Sequence, residues 1–175
     1  MSKSDCNVIH IAAPTGEEKS RVWLWRFWKE IPAAGHAAIF DRSWYGRVLV
    51  ERVEKLCSED EWKRAYGEIN DFEKYLTSNG TVLVKFWLDI SAEEQLRRFG
   101  NRAADPKKAY KITDEDWRNR ARRGDYDAAV SEMLKSCDKD FARWYVIPAN
   151  QKKNARATVL RTIINEIEKK GSAKS

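Results

Sequence analysis

The stretch AIFDRSWYGR, residues 38–47, places one acid and two bases directly after a short apolar run. A carboxylate such as Asp41 can hold magnesium directly or through water, and guanidinium groups such as Arg42 and Arg47 bind phosphate oxygens with a planar fork. The pattern therefore indicates chemistry on a phosphorylated substrate. A purely structural ion pair of Asp41 with Arg42 or Arg47 is the alternative, and the residues alone leave both interpretations open.

A basic segment between Asn101 and Arg123 is the second candidate. Arginines in a mobile lid can close over phosphates and neutralise charge in a transition state. A solvated basic helix is the alternative. Lys107 and Lys108 follow Pro106, which predicts an extended stretch there. The bases of this segment are Arg102, Lys107, Lys108, Lys111, Arg118, Arg120, Arg122 and Arg123.

A third candidate is PANQKKNAR, residues 148–156, because it follows an apolar run that reads as a strand. Asn150, Lys152 and Arg156 are placed to contact a nucleotide or a phosphate chain there. A simple helix start explains the same residues and is favoured by the pattern alone. The two histidines, His10 and His36, have no acidic partner placed by the sequence, so no catalytic role is assigned to them.

Apolar runs alternate with helical patterns, which predicts an α/β fold with a parallel sheet covered by helices on both faces. Ligands of such sheets bind beyond the carboxyl ends of the strands, and Asp41 lies at such an end. Capping pairs are expected at Thr15/Glu18, Ser58/Glu61 and Ser91/Glu94, and Ser43 is a further candidate cap. The predicted strands are residues 8–13, 37–40, 81–88 and 144–148. An amphipathic helix is predicted around residues 24–31, and a longer one over residues 44–76 with a break near residue 57. Further helices are predicted to start at residue 91 and to cover residues 126–136 and 152–169.

Length and composition are those of one globular domain with 175 residues, 42% hydrophobic residues and a net charge of +6. The charge suits anionic partners such as nucleotides, polyphosphates or nucleic acid. No apolar run reaches the roughly 20 residues of a membrane span, and no signal segment opens the chain, so a cytoplasmic location without membrane contact is expected. The three cysteines fit neither a disulfide framework nor a zinc site and are expected to be reduced. Frayed ends are expected at residues 1–6 and 170–175.

Five segments together resemble the polyphosphate kinase 2 family, and most closely the carboxyl-terminal catalytic domain of its polyphosphate:AMP phosphotransferase branch. The segments are IFDRSWYGRVLVERVE, EWKRAYGEINDFEKYL, VKFWLDISAEEQLRRF, KITDEDWRNR and VIPANQKKNAR. The resemblance implies a thymidylate kinase-like P-loop fold over residues 1–175, with a lid at about residues 101–127. It also implies transfer of a phosphoryl group between inorganic polyphosphate and AMP or ADP with Mg²⁺, and no binding of nucleic acid.

The same resemblance implies roles for individual residues. Asp41 falls on the family's metal-binding and catalytic acid, and Arg42 on its catalytic, phosphate-binding neighbour. Phosphate or substrate binding is implied for Arg47, Lys108, Lys111, Arg118, Arg120, Arg122, Asn150 and Lys152.

The sequence also departs from the family pattern. It contains no GxDxxGKG loop, and none of its eight glycines is followed by lysine. Arg123, Gly124, Arg143 and Gln151 replace the usual tryptophan, acid, proline and acid. A second hypothesis therefore stands beside the first: a non-catalytic fragment or remnant that binds polyphosphate or nucleotide, or serves as an interaction domain. Because the missing loop is preceded by a strand that is central in this topology, a homo-oligomer is expected.

Overall fold

Two pairs of parallel strands organise the chain in the computed structural model, which describes residues 6–172. The chain divides into two compact units, Met1–Lys63 and Arg64–Ser175. The frayed ends predicted from the sequence lie largely outside the described residues. Of the predicted carboxyl-terminal end, residues 170–172 belong to the last helix.

The first unit is built on strands β1 (Cys6–His10) and β2 (Ala37–Asp41), which pair in parallel with Cys6 opposite Ala37 and His10 opposite Asp41. Short helices follow them: α1 (Gly16–Lys19), α2 (Trp25–Trp28) and α3 (Val50–Val53), with a 3₁₀ turn at Trp44–Arg47. Phe27 and Trp44 are buried and meet edge to face, with ring centroids 5.9 Å apart. Their aromatic contact fixes the turn that follows β2.

Several predictions for this unit are corrected. The helix expected around residues 24–31 is the single turn α2, after which Glu30 and Ile31 donate three residues back and Pro32 has no N–H to continue the helix. The break expected near residue 57 is confirmed, since residues 54–58 separate α3 from the helix that begins at Glu59, and Lys55 adopts a left-handed φ of 55° there. The part before this break is further divided into the 3₁₀ turn and α3. Ser43 makes no side-chain capping bond, whereas the Thr15/Glu18 capping box is confirmed. The first predicted strand starts two residues earlier than expected and ends at His10.

The second unit contains strands β3 (Lys85–Asp89) and β4 (Trp144–Pro148), again parallel, with Lys85 opposite Trp144. Ile147, Ala149 and Ala155 form a buried cluster behind them, where Phe86 and Val159 also pack. The helices are α4 (Glu59–Ser78, which begins in the first unit), α5 (Ala92–Ala103), α6 (Asp114–Ala121), α7 (Arg123–Cys137) and α8 (Lys152–Ser172), with a 3₁₀ turn at Ala109–Lys111.

The α/β class with parallel strands is confirmed, and the fourth predicted strand matches β4 residue for residue. Within residues 6–172 the strands form two two-stranded sheets rather than the single sheet that the alternation predicted. The resemblance implies a central strand leading into the GxDxxGKG loop, and the sequence contains no such loop. The three cysteines are free, as expected. None of the helices described is long and apolar enough to cross a bilayer.

Candidate phosphate and metal site

The carboxylate of Asp41 stands at the carboxyl end of β2 and is 66% exposed. Its Oδ2 lies 3.0 Å from Nδ1 of His10, the residue directly opposite it on β1. Within the described part of the chain, no lysine or arginine pairs with this carboxylate. The ion pair considered as a structural alternative is therefore not formed, and the exposed carboxylate contacts a histidine instead.

Arg42 follows Asp41 with a left-handed φ of 64°, and its side chain is exposed. This conformation costs a non-glycine residue roughly 1–2 kcal/mol. Residues held in such backbone conformations concentrate at functional sites, where the turn directs a side chain out of the strand. The strand end therefore presents an acid and a base next to each other without pairing them.

Arg47 lies in the 3₁₀ turn after the strand and is engaged with protein acids. Its Nε is 3.1 Å from Glu51, its Nη1 is 3.8 Å from Glu61, and its guanidinium stands over the Trp23 ring at 5.0 Å. Burial raises the pKa of Glu51, and the charge of Arg47 opposes this rise. Arg47 therefore stabilises the turn in this structure, and a phosphate contact by its side chain stays a prediction.

The carboxyl ends of β3 and β4 are joined by polar contacts in the second unit. The backbone N–H of Ser91 donates to Oδ1 of Asn150 at 3.0 Å, and Arg98 donates to the carbonyls of Ala149 at 2.6 Å and Asn150 at 3.2 Å. Glu94 accepts from Arg98 at 2.6 Å, and hydrogen bonds from Arg97 and Arg98 lower the pKa of Glu94 to about 2. These contacts place Asn150 at the strand ends, next to Lys152 at the start of α8.

Two arginines of the basic segment reach the same strand ends. Arg120 donates to the carbonyl of Ala92 at 2.7 Å, and Arg123 donates to the carbonyl of Ile90 at 2.8 Å. Both arginines lie in the basic segment defined from the sequence. The resemblance implied a substrate role for Arg120 but not for Arg123. Both guanidinium groups are thus anchored to backbone just beyond β3.

The other predicted bases of this segment are held by nearby residues or lie in solvent. Lys108 pairs with Asp105, and its hydrogen bond lowers the pKa of that carboxyl. Arg122 pairs with Asp125 at 3.2 Å, and Lys111 lies 5.7 Å from the centre of the Tyr110 ring. Arg118 and Lys152 are exposed. The expected lid is a turn-rich stretch leading into α6 and the start of α7, and its movement stays a prediction.

The donor set at Asp41 fits a magnesium ion completed by substrate phosphates. Magnesium is usually held by one or two carboxylates together with water and phosphate oxygens, rather than by an all-protein cage. Residues 6–172 contain no group of three or more His, Cys, Asp or Glu side chains arranged to hold a metal. The exposed Asp41 carboxylate beside Arg42 therefore matches a magnesium ion shared between protein and substrate phosphates, and not an ion enclosed by protein ligands alone.

The sequence reasoning missed His10 and Arg98. The position of His10 follows from the pairing of β1 with β2. Both His10 and Asp41 are the last residues of their strands, so the parallel register places them opposite each other. For Arg98 the signal is Glu94 four residues earlier on α5, which orients its guanidinium toward the strand end. The His10–Asp41 contact and the bonds of Arg98 to the β4 end both depend on which segments are neighbours, so local spacing alone does not give them.

Each unit presents polar groups at the carboxyl ends of its parallel strands: an exposed acid in the first unit, and an amide with anchored arginines in the second. Ligands of parallel α/β folds bind at such strand ends. The model of the family "Polyphosphate kinase 2 (PPK2)" matches residues 1–175, and the chain belongs to this family.

Individual relatives agree with this assignment. The chain is 56% identical over 162 residues to a polyphosphate:AMP phosphotransferase of Pseudomonas syringae pv. tomato, covering 93% of this chain and 32% of the relative. It is 41% identical to ADP-polyphosphate phosphotransferase 3 of Rhizobium meliloti, covering 91% of this chain and 56% of the relative. The crystal structure of polyphosphate kinase 2 from Arthrobacter aurescens TC1 superposes with a TM-score of 0.92 at 40% identity, covering 96% of this chain and 59% of that one. The chain therefore spans 32% to 59% of the length of these proteins.

Proposed function

We propose that this chain is the nucleotide- and polyphosphate-handling part of a phosphotransferase that moves a phosphoryl group between inorganic polyphosphate and AMP or ADP. The observation that carries the proposal is the exposed Asp41 carboxylate, which no lysine or arginine of residues 6–172 neutralises although Arg42 is its neighbour. A carboxylate left in this state can share a divalent cation with a polyanion. Membership in the polyphosphate kinase 2 family supports the choice of polyphosphate as that polyanion.

Each residue has a defined part in this proposal. Asp41 would hold Mg²⁺, which supplies charge neutralisation for the phosphate oxygens. His10 orients the carboxylate through its 3.0 Å contact, and Arg42 contacts the phosphate chain. Asn150, Lys152 and Arg120 lie at the ends of β3 and β4, where they would bind nucleotide or polyphosphate oxygens. Arg47, Lys108, Lys111, Arg118 and Arg122 complete the set of proposed phosphate contacts.

The reaction is an in-line displacement at phosphorus. An oxygen of the AMP phosphate forms a new P–O bond to the terminal phosphorus of polyphosphate, while the bridging P–O bond to the next phosphate breaks. ADP is formed, and polyphosphate leaves one phosphate shorter. Guanidinium groups stabilise the charge on the leaving chain, and no proton has to be moved by a side chain for the atoms to balance.

An activity assay tests the proposal. The chain is incubated with polyphosphate, Mg²⁺ and either AMP or ADP, and the formation of ADP or ATP is measured. Asp41→Asn should lower the rate by about a hundredfold or more, because one preorganised electrostatic contact typically contributes 10²–10³ in kcat. Asp71→Asn is the matched control, since it makes the same charge change at an exposed position of α4. An equal rate in Asp41→Asn and the wild type would contradict the assigned role of Asp41.

Absence of the GxDxxGKG loop from the sequence favours a second candidate, binding without turnover. In that case labelled polyphosphate binds in a salt-sensitive manner, because the ligand is a polyanion, and Arg42→Ala weakens it. Turnover that depends on Asp41 selects the first candidate, whereas salt-sensitive binding without turnover selects the second. Neither binding nor turnover would contradict both. A cytoplasmic location stays a prediction from the sequence.

A further inference from the structure

A cavity of about 250 Å³ lies at the amino ends of β3 and β4 in the second unit. Leu83, just before β3, and Phe141, just before β4, line it together with Tyr145 and with residues near the ends of α4 and α8. The polar groups around Asn150 lie beyond the carboxyl ends of the same strands. The length of a five-residue strand, about 16 Å, therefore separates this cavity from the candidate site.

The carboxylate of Glu166 offers the cavity one acceptor that the protein does not use. Its Oε1 accepts from Nζ of Lys169 at 2.7 Å and from the hydroxyl of Tyr145 at 2.8 Å. Among residues 6–172 no group donates to its Oε2. The hydrogen bonds from Lys169 and Tyr145 lower the pKa of Glu166, so the carboxyl is ionised at neutral pH. Since its side chain is only 24% exposed, the second oxygen favours a ligand that donates a hydrogen bond.

Lys170 supplies a donor on the same wall. It follows Glu166 by four residues on α8, so the two side chains are neighbours on the helix surface. Its Nζ donates to the carbonyl of Thr81 at 2.9 Å, which uses one of the three N–H bonds of an ammonium group. An acceptor next to a donor matches the exocyclic amine and the adjacent ring nitrogen of an adenine ring.

The walls of the cavity suit a planar ring. The Tyr145 ring packs against Phe86 with centroids 5.9 Å apart, and its hydroxyl is held by Glu166, so the ring is a fixed surface. The guanidinium of Arg143 lines the cavity as well and is held by Asp138 at 3.2 Å. Aromatic rings and arginine planes both stack on flat heterocycles.

The charges and the size of the cavity favour an uncharged ligand. Two bases, Arg143 and Lys170, line it together with two acids, Asp140 and Glu166, so it does not attract a phosphate group in the way a purely basic site does. Its volume is below the lower limit of about 300 Å³ for pockets that hold drug-sized molecules. It can therefore hold a base with its sugar, and Ser78 at the end of α4 can bond a sugar hydroxyl.

We propose that this cavity binds an uncharged adenine nucleoside, with Glu166 accepting from the exocyclic amine and Lys170 donating to a ring nitrogen. The site would be a second ligand site on the chain, remote from the strand ends that handle phosphates. The inference is independent of the proposed function, since none of these residues lies in the candidate site and binding requires neither polyphosphate nor Mg²⁺.

Backbone amide NMR spectra recorded during a titration with adenosine test this proposal. Signals of residues 82–84 and 141–145 should shift and saturate with a Kd of about 1 mM or lower, since small ligands with few polar contacts reach such affinities. Signals of residues 89–91 and 149–152, at the opposite strand ends, should stay in place. Inosine carries a carbonyl oxygen in place of the exocyclic amine. It should bind at least about tenfold more weakly, because the Glu166 oxygen would then face an acceptor.

Two variants test the assigned contacts. Glu166→Gln should weaken adenosine binding by about fivefold or more, because a hydrogen bond to a charged acceptor is about twice as strong as one to a neutral acceptor. Lys170→Met keeps the length of the side chain, removes the donor and should also weaken binding. Asp71→Asn is the matched control, since it removes a charge at an exposed position of α4 outside the cavity, and it should bind adenosine like the wild type. Circular dichroism verifies that each variant is folded.

Three results would overturn the proposal. The first is the absence of amide shifts up to about 5 mM adenosine, five times the expected upper limit of Kd. The second is a set of shifts confined to residues 89–91 and 149–152, which would place adenosine at the candidate site instead. The third is equal binding of adenosine and inosine, or equal binding by the wild type and both folded cavity variants, since the contacts of Glu166 and Lys170 would then not recognise the ring.

Discussion

A buried ion pair connects β3, α4 and α7 in the second unit, and its removal allows a quantitative prediction. Nζ of Lys85 donates to Oε2 of Glu73 at 2.7 Å and to the carbonyl of Cys137 at 2.8 Å. Lys85 is 6% exposed and Glu73 is 0% exposed. Burial lowers the pKa of Lys85, although the charge of Glu73 opposes this change.

Lys85→Met keeps the length and the apolar part of the side chain but removes the charge and both hydrogen bonds. Glu73 then loses its buried counter-charge, and breaking a buried pair in this way costs about 3–5 kcal/mol. In a chain of this size each kcal/mol lowers Tm by about 2–4 °C, so a decrease of roughly 6–20 °C is expected.

The double variant Lys85→Met/Glu73→Leu should be more stable than Lys85→Met alone. Replacing both charges by apolar groups of similar volume is often neutral, so the main remaining loss is the unsatisfied carbonyl of Cys137, about 1–3 kcal/mol. Lys63→Met is the matched control, because Lys63 pairs with Glu59 in solvent on α4, and its Tm should stay unchanged.

Urea unfolding followed by far-UV circular dichroism, together with Tm, measures these differences. The reasoning is refuted if Lys85→Met costs less than about 1 kcal/mol, which is the net value of an ordinary hydrogen bond. The single variant Glu73→Leu completes the cycle. The reasoning is also refuted if the double variant is destabilised by the sum of the losses of Lys85→Met and Glu73→Leu, since the two side chains would then act independently.

Two further predictions concern the strand ends. Arg42→Gly should have a Tm about 2–4 °C above that of Arg42→Ala, because only glycine adopts the φ of 64° without a cost of about 1 kcal/mol. Both variants should bind labelled polyphosphate more weakly than the wild type. Equal Tm values of the two variants would contradict the backbone strain at residue 42. The carboxyl of Glu94 should titrate near a pKa of about 2 by NMR instead of 4.5, and Arg97→Ala should raise this pKa, since Arg97 donates two hydrogen bonds to this carboxylate. The stability that ionised Glu94 contributes is then present above pH 4.5 and lost as the pH falls through about 2, and titration of Glu94 near 4.5 would contradict the ion-pair geometry.

The local sequence pattern was sufficient to predict those elements that are determined by interactions between residues close in the chain. The reciprocal hydrogen bonds of Thr15 and Glu18 join residues only three positions apart, so the capping box can be predicted without knowing the fold. The run WYVIP is continuously apolar and aromatic before a helix, and β4 has the predicted bounds. The rare stretch around Asp41 also sufficed to identify the family, because its residues are contiguous in the chain.

The boundaries of helices that depend on packing were not predictable in the same way. The apolar residues between 44 and 53 repeat at helical spacing, but the burial of Trp44 and Tyr45 against other aromatic rings divides this stretch into short turns. Tertiary contact overrode the periodicity there.

The sequence by itself determined the family, the strand bearing Asp41 and the positions of the basic residues, since all of these depend on residue type and near-neighbour spacing. Only the tertiary structure decided which charges are engaged. It pairs Arg47 with Glu51 and Glu61, anchors Arg98 and Arg120 on backbone carbonyls, and leaves Asp41 beside His10. The physical reason is that Coulomb energies and hydrogen bonds depend on distances between segments far apart in the chain, and those distances exist only once the strands have paired.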